Sequence, residues 1–101
     1  MLTIDNEIEV YAPNIIRPGS NSWFTIFGSS GIRSVLELTI YDRWGNRMYH
    51  QEDIPPNQPD LGWNGTSNGR QVVPGVYVWH ARILTQDGRI LEKAGDVTVV
   101  R

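Results

Sequence analysis

The chain has no cysteine and only 2 histidines among its 101 residues. Without thiols there is no disulfide framework and no thiolate metal site, so stability has to come from packing. His50 and His80 have no histidine partner at ligand spacing, and neither belongs to a Ser-His-Asp or Cys-His arrangement. No catalytic residue, metal ligand or cofactor is therefore read from the sequence, and the chain is expected not to be an enzyme. Long apolar runs are missing as well. No stretch approaches the roughly 20 residues that a membrane-spanning helix needs, and Met1-Leu2-Thr3-Ile4-Asp5 lacks the basic start and apolar centre of a secretory signal. A one-signed charge excess is also absent: 9 basic residues against 11 acidic ones leave a net charge of -2. Arg17, Arg33, Arg43, Arg47, Arg70, Arg82 and Arg89 are scattered singly, which argues against a nucleic-acid partner.

What is present is globular. An apolar fraction of 40% with 4 tryptophans lies far from the low-hydrophobicity, high-charge composition of disordered chains. One core suffices at this length, so residues 1–101 are read as a single domain. No internal repeat, low-complexity tract or linker divides it.

Helical spacing is almost absent, whereas period-two alternation recurs in short runs separated by turn signals; about seven strands are expected. The first runs from about Glu7 to Ala12 and ends at Pro13-Asn14. A second, near Trp23 to Phe27, lies between the Pro18-Gly19-Ser20-Asn21 turn and Gly28-Ser29-Ser30-Gly31. In the third, Leu36, Leu38 and Ile40 form the apolar face against Glu37, Thr39 and Tyr41. The chain reverses at Trp44-Gly45-Asn46 with Gly45 at positive φ, and Arg47 to His50 returns. From Gln51 to Trp63, the prolines Pro55, Pro56 and Pro59 mark a long loop without a regular ladder. A brief strand follows near Gln71 to Val73. Next, Tyr77, Trp79, Ala81 and Ile83 are assigned to the core, because theirs is the one alternating set that stays apolar. Asp87-Gly88 predicts a two-residue type I′ hairpin. The last strand runs from about Ile90 to Val100, with Gly95 marking a bulge or a close approach.

Several residues invite sharper readings. Trp63 and Trp79 are expected to anchor the core, whereas Trp44 at a hairpin tip is either exposed or folded back between Arg43 and Arg47. Asp5, Glu7 and Glu9 share one strand face, but a calcium site needs six to eight oxygens converging from several segments, so a solvated face is the better account. Asn64-Gly65-Thr66 matches a glycosylation acceptor and is read as a turn.

Taken in order, Asp42-Arg43-Trp44-Gly45-Asn46, Trp63-Asn64-Gly65-Thr66, Val73-Pro74-Gly75-Val76-Tyr77 and Gly95-Asp96-Val97-Thr98-Val99-Val100-Arg101 resemble the gliding motility-associated C-terminal domain. This is the type B sorting domain, or CHU_C-like family, of the bacterial type IX secretion system. The resemblance runs from Tyr11-Ala12-Pro13-Asn14 to Arg101. It implies a C-terminal secretion and sorting signal of a Bacteroidetes-type bacterium that takes an N-terminal passenger in cis across the periplasm to the cell surface or the medium. The implied partner is the export machinery, through an outer-membrane protein of the PorP/SprF family, with no membrane insertion of the domain itself. Two departures from the family pattern stand out. Pro18-Gly19-Ser20-Asn21-Ser22 replaces an acidic loop, so no cation site is carried over to it. Asn64 stands where relatives have Asp, and can still cap a turn.

The expected fold is all-β, an immunoglobulin-like sandwich of two antiparallel sheets. The candidate recognition residues are Asp42, Arg43, Trp44, Gly45, Asn46 and Arg47 at the tip, and Val97, Thr98, Val99, Val100 and Arg101 on a terminal strand whose open edge offers backbone groups to a partner. Pro13, Asn14, Trp63, Gly65, Thr66, Pro74, Gly75, Tyr77, Asp87, Gly88 and Gly95 are expected to build the scaffold. An adhesion or carbohydrate-binding module using an exposed tryptophan, and a structural spacer, are the alternative readings.

Overall fold

Alternation at period two dominates the computed structural model, which describes residues 9–18, 23–28, 30–58 and 61–100. Among the described residues nine strands follow one another, against about seven expected, because short two-residue pairings carry too little period to read: β1 (Val10–Tyr11), β2 (Ile15–Ile16), β3 (Phe27–Gly28), β4 (Ile32–Tyr41), β5 (Arg47–Ile54), β6 (Thr66–Ser67), β7 (Arg70–Gln71), β8 (Gly75–Thr85) and β9 (Ile90–Val99). One sheet has the order β2-β9-β8-β4-β5. Facing it is a thinner layer made of the β1–β3 pair, the Phe24–Trp63 bridge and the β6–β7 hairpin. The architecture is the expected all-β, immunoglobulin-like sandwich, although one pairing, β2 with β9, is parallel. Expectations placed on Asp5, Glu7, Ile8, the Gly19–Asn21 part of the first turn, Ser29, Pro59, Asp60 and Arg101 lie outside the described residues.

The core forms between the two layers. Tyr77, Trp79, Ala81 and Ile83 of β8 are buried, as their alternation required, while Val76 and Val78 between them are exposed. Trp79 packs against Phe24 with ring centroids 5.7 Å apart. Trp63 packs edge-on against Tyr77 at 5.8 Å and meets Tyr49 at 6.3 Å. These offset and edge-on contacts suit the ring quadrupoles and join the layers.

Strand β4 departs from simple alternation. Its buried apolar set is Ile32, Val35, Leu38 and Ile40, and Leu36, expected in the core, is only half-buried. The register against β8 shifts between Ile32 and Ser34 and again between Val35 and Glu37. Each shift places an extra β4 residue against its partner, so the inward parity changes, as a bulge requires. A further shift between Ile40 and Tyr41 leaves Met48 of β5 as the extra residue, and both Met48 and Tyr49 pack against the core.

Strand β5 also runs to Ile54, four residues into the segment expected to be loop. The prolines begin at Pro55, so Gln51 to Ile54 keep the N–H groups that the ladder needs. On the other layer, only Phe27 of the expected second strand pairs as a strand, together with Gly28 from the expected turn, and Phe24 makes a separate bridge. The brief strand near Gln71 begins at Arg70, and Val72 turns inward after it.

The two tight hairpins use one device. At the first, Asp42 N–H donates to Asn46 O and Gly45 N–H donates to Asp42 O, with Gly45 at φ 87° as expected. At the second, Thr85 N–H donates to Arg89 O, Gly88 N–H donates to Thr85 O, and Gly88 has φ 89°. The loop is therefore the three residues Gln86, Asp87 and Gly88, not a two-residue type I′ turn. A type I′ turn needs positive φ at both central residues, and Asp87 does not adopt it. Gly95 makes no bulge, since β8 and β9 stay in register throughout. It lies opposite Trp79, and a Cβ there would come within 3.0 Å of the indole Nε1.

Candidate functional site

The Asp42–Asn46 tip is ordered by one side chain. Asp42 Oδ1 accepts from the N–H groups of Trp44 at 2.9 Å and Asn46 at 2.8 Å, and Oδ2 accepts from Asn46 Nδ2 at 2.9 Å. The Asn46 amide, helped by backbone N–H groups, holds the Asp42 carboxyl below its ordinary pKa against an opposing contribution from desolvation. A charged carboxylate thus clamps the loop that carries Trp44.

Trp44 is 77% exposed, which settles its alternatives in favour of exposure, and the Arg43 guanidinium lies 5.4 Å from its ring centroid. The same guanidinium reaches over Gly75, where an added Cβ would lie 3.5 Å from Nη2. Two depressions adjoin the indole. A cleft of about 60 Å³ separates Arg43 and Trp44 from the Val73–Tyr77 corner. A shallow groove of about 350 Å³ runs past Met48, Arg70, Gln71 and Val73. Val73, not singled out as a site residue in the sequence, is 76% exposed beside both. The signal was available in Pro74-Gly75, which ends the preceding strand and turns Val73 outward.

Behind the corner stands Tyr77, whose hydroxyl donates to Val73 O four residues upstream. This is the tyrosine-corner arrangement of immunoglobulin-like sandwiches. Burial, then the nearby Asp42 carboxylate, pushes the Tyr77 hydroxyl pKa up, and Arg43 opposes that rise. The Trp63 motif is likewise architectural. The Trp63 indole N–H donates to Thr66 O at 2.8 Å, and Thr66 Oγ1 donates to Asn64 Oδ1 at 2.7 Å, so Asn64 caps the turn without a charge. Gly65, at φ 84°, fits because a Cβ would come 2.6 Å from Pro18 Cγ. Asp87 is held below its ordinary pKa, first by the Thr85 hydroxyl and then by Arg89.

The terminal strand differs from expectation. Thr98 N–H donates to Asn14 O at 2.9 Å and Val100 N–H donates to Ile16 O at 3.0 Å, so β2 covers the end of β9. Val97 and Val99 are buried. The segment from Val97 to Val100 is therefore not an open edge. Because the N–H groups of Thr98 and Val100 point away from β8, alternation places those of Glu92, Ala94 and Asp96 on the same outer side. Among the described residues, that stretch of β9 has no strand beside it. The pairing of Ile15–Ile16 went unread because two residues carry too little period to show a strand. The candidate recognition residues thus fall into two places: an exposed tip at Asp42 to Arg47, and a terminal segment serving the core.

The fold is an all-β, immunoglobulin-like sandwich with an ordered tip that exposes Trp44. The chain belongs to the CHU_C type IX secretion signal domain family, whose model matches residues 4–99. Membership gives it the role of a sorting signal that works with the type IX secretion machinery. A comparison with curated proteins returns no match. Among solved structures, the chain is similar to CopC from Methylosinus trichosporium OB3b, with a TM-score of 0.59 and 19% identity over 90% of this chain and 88% of that one. At that identity the likeness concerns the fold.

Proposed function

We propose that the domain directs an N-terminal passenger in cis through the type IX system to the cell surface or the medium, and that the machinery reads the Trp44 tip. The partner proposed is an outer-membrane protein of the PorP/SprF family. One observation carries this reading: Trp44 stands exposed on a loop locked by Asp42, between two depressions, while Trp63 and Trp79 are buried. A preorganised aromatic flanked by arginine is the composition of binding hot spots. Val97 and Val99 act in this reading through folding, and direct contact falls to Asp42, Arg43, Trp44, Gly45, Asn46 and Arg47.

The test is a fusion of residues Tyr11 to Arg101 behind a periplasmically exported fluorescent protein in a gliding host. The wild-type domain is expected to release the reporter from the periplasm. Trp44→Ala is expected to retain it, at a stability cost within about 0.5 kcal/mol, because exposed surface substitutions are nearly neutral. Retention of the wild-type fusion by intact machinery would defeat the sorting role. Normal export of the Trp44 variant would move recognition away from the tip. The same exposed indole favours a second reading as a sugar-binding module, in which Trp44→Ala abolishes glycan binding and leaves export untouched.

A further inference from the structure

The outer face of the five-stranded sheet, opposite the core, carries a cluster of ligating side chains that the sorting role does not use. Glu37 of β4 stands opposite Glu52 of β5, and two residues along the ladder Thr39 stands opposite His50. One ligand atom from each of Glu37, His50 and Glu52 lies within 4.8 Å of the others. Like charges placed directly across an antiparallel pair destabilise it. Arg82 is on the far side of Glu37, between it and Glu92 in the neighbouring register. The β4–β5 side is left with two carboxylates and an imidazole.

The imidazole is oriented from outside this trio. His50 Nδ1 lies 2.9 Å from Oγ1 of Thr39, which is buried, and His50 Nε2 lies 3.2 Å from Glu52 Oε2. A hydroxyl both donates and accepts. Thr39 can therefore donate to Nδ1 while Nε2–H donates to Glu52, or accept from Nδ1–H and leave the Nε2 lone pair facing the carboxylates. In the second tautomer the ring is ready to bind a cation without net loss of a proton from a neutral imidazole. A metal-binding histidine is commonly fixed in this way by a hydrogen bond to its other nitrogen.

We propose that Glu37, His50 and Glu52 form a site for a first-row divalent cation of the zinc type, using His50 Nε2 and one oxygen from each glutamate, with water completing the shell. One nitrogen and two carboxylate oxygens suit zinc, whereas calcium takes six to eight oxygens and magnesium demands an oxygen octahedron. Bonds of about 2.0–2.2 Å require the ligand atoms to close to roughly 3.3 Å. His50 and Glu52 already stand at 3.2 Å, so the adjustment falls on the Glu37 side chain. The sequence hides this site because Glu37 meets His50 and Glu52 only across the ladder.

Calorimetric titration of Zn2+ into the untagged chain tests the proposal. Expected is saturable binding of one ion per chain at sub-millimolar Zn2+, weakened at least about tenfold in His50→Gln and in Glu52→Gln, and about tenfold in Thr39→Val, which removes only the orienting hydroxyl. His80→Gln is the control. His80 pairs with Glu92 at 3.6 Å on the same face but has no third ligand among the described residues, so zinc binding by His80→Gln is expected to be unchanged. Zinc is also expected to raise the melting temperature of the wild type and not of Glu52→Gln, whose exposed position keeps folding intact. Absence of saturable binding below millimolar Zn2+, equal weakening by His80→Gln, or undiminished binding in both His50→Gln and Glu52→Gln would overturn the assignment.

Discussion

Replacing Tyr77 with phenylalanine removes one oxygen atom and leaves the aromatic packing in place, which makes it the cleanest probe of the corner behind the Trp44 tip. The ring stays against Trp63, and only the hydrogen bond to Val73 O is lost. Val73 is itself exposed, so water can reach its carbonyl, and the cost falls to the net value of one hydrogen bond, about 1 kcal/mol. For a domain of this size that lowers the melting temperature by roughly 4–8 °C. Tyr77→Ala, which also deletes the buried ring, is expected to cost about 3–5 kcal/mol. Urea unfolding followed by tryptophan fluorescence measures both variants. The midpoint is expected to fall with the slope unchanged, since the fold and its denatured surface are the same. Tyr77 also predicts an alkaline limb. Its folded pKa lies above the ordinary 10.0, so its contribution is complete below 10.0 and is lost as pH rises through the folded value. That limb should be shallower in Tyr77→Phe, with Tyr49, raised by burial, and Tyr11, raised by its hydrogen bond to Glu9, supplying what is left. A midpoint at or above the wild type in Tyr77→Phe would refute the view that the corner is held by this bond.

Other perturbations separate packing from surface chemistry. Gly95→Val places a branched side chain against the Trp79 indole and is expected to destabilise by about 1–3 kcal/mol through overpacking, measured by the same urea titration; a neutral result would mean that the indole can move aside. Thr25 is buried, and among the described residues its hydroxyl has no hydrogen-bond partner, so the near-isosteric Thr25→Val is expected to raise the melting temperature, and a fall would reveal a partner for that oxygen. Asp42 and Asp87 both have folded pKa values below 3.8, so their contribution is complete above 3.8 and disappears as pH falls through the lowered values. An acid titration of thermal stability should accordingly be less steep in Asp42→Asn, and an unchanged slope would count against the clamp.

By itself the sequence determined the class of fold and the punctuation of the chain. The alternation of Tyr77, Trp79, Ala81 and Ile83 could be satisfied only by a strand with one buried face, and Gly45 stands where a backbone without Cβ strain was needed. The order of turn motifs also carried the family, because each motif is a local backbone requirement written in a few adjacent residues. Tertiary structure decided what depends on a neighbour. The bulges in β4 exchange Leu36 for Val35 in the core only because β8 lies beside it, and Asn14 to Ile16 close the terminal edge only because the chain crosses between layers there. The exposure of Trp44 was settled by the Asp42 clamp and the Val73–Tyr77 corner, contacts that no period along the chain records. Glu37 meets His50 and Glu52 for the same reason: a ladder brings together residues that are distant in sequence, and its register exists only once the sheet has formed.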